Sequence, residues 1–188
     1  IKDLEIAYKA GQFHFGENKI QELIAKESIL PKDIKWHMIG HLQRNKVKYI
    51  ASFIHLIHSV DSLKLLKEID KQGCKINRNI NILIQIDISN DETKFGFSIN
   101  EINEILNSDE LNKYKNIKIK GFMGMASFTN DKSIIKEQFL ILNQLYEKFK
   151  TTYSFNYLSM GMSADYKEAI QCNSNIIRLG SNIFGKRN

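Results

Sequence analysis

Proline occurs once in the 188 residues, at Pro31, and cysteine only twice, at Cys74 and Cys172. One proline leaves no proline-rich linker, and the chain contains no low-complexity segment. Two cysteines without a Cys-x-x-Cys pair offer neither a disulfide framework nor a zinc site, and they fit a reducing compartment. No apolar run reaches the roughly 20 residues that a membrane-spanning helix requires, and no signal peptide is visible. A cytoplasmic location is therefore expected. The chain begins with Ile1 rather than Met, so a native start upstream of Ile1 is expected too.

Excess charge is also scarce. The formal net charge is +6, from 27 basic and 21 acidic residues. The lysines are spread along the chain beside Asn and Ile, a compositional bias rather than a nucleic-acid footprint. The densest cluster, Arg44-Asn-Lys-Val-Lys48, reads as a solvated helix face. Neither nucleic acid nor membrane is an expected partner. No grouping of His, Cys and carboxylates has metal-ligand spacing, so no metal is expected.

What is present is the composition of an ordinary globular protein, 43% hydrophobic and 26% charged. The length suits one domain over residues 1–188, although a complete (β/α)8 barrel typically takes about 250 residues. The pattern alternates regularly. A helix is expected over 3–10, a strand over Phe13–Phe15, a helix over Glu17–Lys26 and a strand over Lys35–Ile39. A helix over Leu42–Ser52, a strand over Phe53–Val60 and a helix from Asp61 to Gly73 follow. Ile80–Ile88 is the clearest strand, with Gln85 and Asp87 on the face opposite its isoleucines. Ser98-Ile-Asn-Glu101 is a capping-box pattern. A strand over Ile117–Met125 and an amphipathic helix over Ser133–Lys150 lead to the terminal stretch. Seven strands in alternation with helices imply a parallel sheet, in an α/β TIM-type barrel or an open doubly wound sheet. The even spacing favours the barrel.

The terminal stretch reads strand, glycine turn, helix, strand, glycine turn. Leu158–Met160 stops at Gly161, Ser163 fits a helix N-cap, and Asp165 suits the first turn. Ile176–Leu179 precedes Gly180-Ser181-Asn182. Two such turns direct free amides and hydroxyls one way and make a site for a phosphate or similar anion. The plain alternative is two ordinary capped turns. In barrels the phosphate site often follows the last two strands.

Phe15-Gly-Glu-Asn18, Trp36-His-Met-Ile-Gly-His-Leu-Gln-Arg-Asn-Lys46, Leu158-Ser-Met-Gly-Met-Ser163 and Arg178-Leu-Gly-Ser181 occur in that order. With them the chain resembles the pyridoxal phosphate homeostasis family, also described as alanine racemase N-terminal-domain-like, from about Ala7 to Arg187. The resemblance implies a TIM-type (β/α)8 barrel whose first strand lies upstream of Ile1, leaving seven strands here. It implies the cofactor pyridoxal 5'-phosphate (PLP). The family's Schiff-base lysine belongs to that first strand, so no catalytic residue is assigned.

By motif match, Ser163, Gly180 and Ser181 are similar to the phosphate-holding residues, and Arg178 to the arginine facing the pyridine nitrogen. Asn18 resembles a residue near the cofactor ring, with helix capping as its alternative. His37 and Met160 are pocket-lining candidates, and core packing accounts for them equally well. An ion pair with Asp87 is the alternative for Arg178. His55 and His58 read as packing groups, and Met123, Met125 and Met162 as pocket or core.

The resemblance implies a PLP carrier or buffer with little or no catalysis, monomeric when complete, with PLP-dependent apoenzymes as candidate partners. The alternative is a PLP-dependent amino-acid racemase. The β domain that such enzymes carry after the barrel is not expected, because the chain ends at Asn188. A phosphate-binding barrel enzyme without PLP would leave the Phe-Gly-Glu-Asn and Trp-His motifs unexplained.

Overall fold

The computed structural model describes residues 1–89 and 95–185; Arg187, where the resemblance ends, lies outside the described residues. Seven strands follow one another in sequence order in one sheet, β1 to β7, alternating with helices. This is the α/β succession of a TIM-type barrel. The chain divides into two compact units, one of Ile1–Ile82 with Tyr114–Lys118 and one of Leu83–Lys113 with Ile119–Asn188.

The first unit holds α1 (Lys2–Lys9), β1 (His14–Glu17), α2 (Ile20–Ile29), β2 (Lys35–Met38), β3 (Leu56–Val60), α3 (Leu63–Lys75) and the start of β4 (Ile80–Ile86). β1 pairs parallel with β2, and β2 with β3. Every residue of β3 is buried, as in parallel strands covered on both faces. Glu17 is buried at the end of β1, where Lys26 of α2 neutralises it at 2.5 Å. Ser62 caps α3 by accepting the Leu65 amide, and Leu65, Leu66 and Ile69 form its buried stripe. Arg78 anchors the chain ahead of β3 by donating to the carbonyls of Ala51 and Ile54.

The helix expected over Leu42–Ser52 is instead a 3₁₀ segment, Arg44–Tyr49. The apolar anchors explain the difference. Val47 and Ile50 are fully buried three residues apart, which matches three residues per turn. Lys46 and Lys48 lie near the Tyr49 ring, at 5.9 and 5.0 Å from its centre.

The second unit holds the rest of β4, α4 (Ile99–Leu106), most of β5 (Ile117–Gly124), α5 (Lys132–Tyr153), β6 (Tyr157–Met162), α6 (Tyr166–Gln171), β7 (Ile176–Arg178) and α7 (Ser181–Phe184). β5 pairs parallel with β6, and β6 with β7. β4 ends at Ile86 rather than Ile88, because Phe97 takes over the edge: its carbonyl accepts from Asp87 and its amide donates to Gln85. The capping box of Ser98 and Glu101 is present in both directions. Asp131 caps α5 by accepting from the amides of Ser133 and Ile134. Ile135, Phe139, Leu142, Tyr146 and Phe149 then form its buried stripe.

The β5–β6 pairing depends on Gly121. Its φ is +143°, and a Cβ there would meet the Tyr157 carbonyl oxygen at 1.8 Å. Gly121→Ala should lower unfolding free energy by at least about 2 kcal/mol, since strain and overlap at a special backbone position add. Urea unfolding of the purified variant against the parent measures this.

Candidate functional site

In the second unit, the loops after β6 and β7 carry Ser163 and Gly180 and bring them together, and Ser181 follows at the start of α7. Gly161 has φ +90°, and a Cβ there would lie 2.6 Å from the Ala169 methyl. The chain therefore turns sharply at Gly161 and packs tightly on α6. Contrary to the expectation from sequence, Ser163 does not cap α6. The helix starts at Tyr166 with Asp165 in the cap position, and Asp165 accepts the Met162 amide at 2.6 Å. The turn from Met162 to Asp165 consumes the residues that a cap at Ser163 would need for the first helical turn.

Ser163 is used across the two loops instead. Its hydroxyl accepts the Gly180 amide at 3.2 Å, and its carbonyl accepts from the Asn182 side chain at 3.1 Å. Gly180 has φ −122°, so it is not there for a left-handed backbone. A Cβ built on it would meet nothing within 4 Å. This glycine leaves open space beside a hydroxyl and the start of α7. The first amides of a helix have no carbonyl partner within it, and here those are the amides of Ser181 and Asn182. Gly180, Ser181 and Asn182 are all exposed.

Arg178 sits one strand-end deeper. A register shift between Ser159 and Met162 lets β7 meet β6 at Met162↔Arg178. The guanidinium donates to the Ser159 carbonyl at 3.0 Å, the Ser159 hydroxyl at 2.7 Å and the Gly124 carbonyl at 3.2 Å. These bonds, not an ion pair with Asp87, hold it; Asp87 accepts from Ser89. Burial pushes the guanidinium down to about 10, partly opposed by the charge of Asp165. It remains a cation at neutral pH. Met160 is fully buried, with its amide and carbonyl both bonded to the Ser174 hydroxyl. Met123 is likewise core, Met125 half-buried and Met162 exposed.

In the first unit, Asn18 is exposed in the bend after β1. It is not the cap of α2; that position is Lys19. A Cβ on Gly40 would lie 2.3 Å from the Asn18 carbonyl oxygen, so glycine after β2 allows the two loops to touch.

His37 is buried, and both of its ring nitrogens face other imidazoles. Nε2 lies 2.9 Å from Nδ1 of His14, and Nδ1 lies 2.8 Å from Nε2 of His58. Any contact of His37 with a cofactor would displace one of them. His55 joins the group, with its ring 5.3 Å from that of His37 and 5.4 Å from that of His14. His55 and His58 pack, as expected, but within a cluster that sequence spacing did not suggest. The available signal was a histidine in each of three successive strand segments. Burial, then the neighbouring His55 and His14, push the His37 imidazole down to about 3. Burial first, then His14, Lys35 and Arg78, lower His55. Separately, His41 pairs with Asp61 at 3.0 Å. That pair lines a cleft of about 550 Å³ with Arg44 and Lys64.

The loops after β6 and β7 thus meet through Ser163 and Gly180 at the ends of consecutive parallel strands. The description "Alanine racemase, N-terminal domain" matches residues 2–188. The chain belongs to that family. A curated relative, the pyridoxal phosphate homeostasis protein of Helicobacter pylori, is 38% identical over 179 residues, 94% of this chain and 79% of the relative. The protein of the same name from Schizosaccharomyces pombe is 36% identical over 191 residues, covering 100% of this chain and 80% of its own. The structure of PipY from Synechococcus elongatus without PLP matches with a TM-score of 0.91 and 30% identity over 98% of this chain and 87% of PipY. PipY with PLP bound matches at 0.86 and 29% over the same shares. Alanine racemase of Clostridium difficile shares the fold, with a TM-score of 0.78 at 14% identity, over 100% of this chain and 48% of the racemase.

The buried His37 makes a pH prediction. Its folded pKa lies below the ordinary 6.5, so the unfolded chain binds the proton first as pH falls. The stabilisation is complete above about pH 6.5 and is lost progressively down to about pH 3, with a slope of up to about 1.4 kcal/mol per pH unit for one proton. Urea unfolding between pH 7.5 and 5 should show this loss. His37→Phe should flatten it.

Proposed function

We propose that this protein binds pyridoxal 5'-phosphate and holds it in cofactor homeostasis, as a carrier or buffer with little or no catalytic turnover. The observation that carries the reading is the open space at Gly180, framed by the Ser163 hydroxyl and the first amides of α7. A phosphate group fits that donor set, which offers backbone amides and hydroxyls and needs no side chain at Gly180. Relatives named pyridoxal phosphate homeostasis protein, and PipY with PLP bound, support the same cofactor.

In this reading Ser163, Gly180 and Ser181 bind the phosphate. Arg178 presents a fixed positive charge next to them. When bound, the cofactor supplies an aldehyde reactive toward amines and a pyridine ring that draws electrons. Arg178 keeps its own proton. Beside the ring nitrogen it would disfavour protonation there, which would weaken the ring as an electron sink and suit holding over turnover. PLP-dependent apoenzymes are candidate recipients. Among the described residues no helix is long and apolar enough to cross a membrane, and a cytoplasmic role agrees with that.

A titration of the purified protein with PLP, followed by absorbance, tests the site. Gly180→Ala should leave stability within about 0.5 kcal/mol, because the new methyl meets open space, yet weaken PLP binding. Ser181→Ala should weaken it roughly tenfold to a hundredfold, the worth of one charge-assisted hydrogen bond. Parent-like binding in both variants would place the phosphate elsewhere. A racemisation assay on L-alanine with the loaded protein should show no turnover; sustained turnover would favour the racemase alternative.

A further inference from the structure

The histidine cluster of the first unit lies outside the phosphate loops. We propose that His14, His37 and His55 form a binding site for a divalent transition-metal ion of the zinc class. One ring nitrogen from each of the three lies within 4.8 Å of the other two. Three imidazoles around one tetrahedral ion at about 2.0–2.1 Å place their nitrogens a little over 3 Å apart. The pair His14 Nδ1 and His37 Nε2, at 2.9 Å, already stands near that separation. Only the His55 ring has to move inward, and it is half-buried rather than packed on all sides.

The backbone makes this arrangement. His14 opens β1, His37 is the third residue of β2, and His55 immediately precedes β3. Parallel pairing sets Gly16 opposite His37. The His14 and His37 rings lie 5.2 Å apart, while the Ile39 side chain packs against Gly16. The amide of His55 donates to the Trp36 carbonyl at 2.9 Å, which fixes its backbone beside His37.

Two further features favour an ion. A metal-bound imidazole uses one nitrogen as ligand and donates from the other to a fixed acceptor, which sets its tautomer. His37 has that partner, because its Nδ1 faces His58 Nε2 at 2.8 Å and His58 is 1% exposed. His14 is exposed, so ions can enter and water can complete a fourth position. Three neutral nitrogens suit zinc, nickel and copper and not the hard cations magnesium and calcium. Lys35 and Arg78 are the nearby cations that act on His55, and they oppose a divalent charge. The site should therefore bind more weakly than one that includes a carboxylate.

The test is calorimetric titration of untagged, chelator-treated protein with Zn²⁺, paired with Co²⁺ absorption spectroscopy. One ion per chain is expected, with intense visible bands from Co²⁺ in a tetrahedral site. His14→Gln and His55→Gln lie at the accessible side of the cluster, and each should reduce affinity at least tenfold while leaving the thermal melt near the parent's. His41→Gln, which removes an exposed histidine paired with Asp61, should leave binding unchanged. Absence of stoichiometric binding would overturn the site. So would equal loss in His41→Gln, which marks surface binding only. PLP titration of His14→Gln should match the parent, which keeps this result separate from the phosphate site.

Discussion

Parallel strand pairing in a fixed register is the constraint on which both clusters depend. A parallel ladder sets neighbouring strands residue against residue, and side chains at paired positions share a face. In the first unit His37 stands opposite Gly16 on one side and Leu56 on the other. A slip of one residue would turn His37 to the helix-covered side and scatter the four imidazoles. In the second unit the β6–β7 ladder runs from Ser159↔Ile176 to Met162↔Arg178, three residues against two. That extra residue is what aims Arg178 at Ser159 and Gly124.

The glycines divide by what they answer to. Gly40, Gly121 and Gly161 are demanded by the fold, since a Cβ at each would strike backbone or a packed methyl. Gly180 meets no such demand. A position free of steric need within the protein, beside helix-start amides that have no carbonyl partner within α7, is where a ligand rather than the chain would set the residue. The same distinction separates the arginines. Arg78 closes a loop onto Ala51 and Ile54, whereas Arg178 spends its donors on strand-end carbonyls beside the candidate phosphate loops.

Most of the fold was legible in the sequence because parallel α/β proteins write period 2 and period 3.6 patterns in turn. All seven strands were found, and the Ser98 capping box held in detail. The 3₁₀ segment was not foreseen, since Val47 and Ile50 fit either helix type until burial is known. Ser163 was placed in the right loop but with the wrong partner, because whether Ser163 or Asp165 begins α6 depends on Gly161 turning at φ +90°. The histidine cluster escaped for a different reason. Ligand spacing along the chain is a local signal, while His14, His37, His55 and His58 meet only through strand register.

The row His14–His37–His58 also has a logical property. A neutral imidazole carries one N–H and one lone pair. If Nδ1 of His14 donates to His37, then His37 must donate from its own Nδ1 to His58, whose remaining proton sits on Nδ1. If Nδ1 of His14 accepts, all three assignments reverse. The row therefore has two self-consistent states. The two states couple an exposed ring, without any movement of the backbone, to a side chain that is 1% exposed.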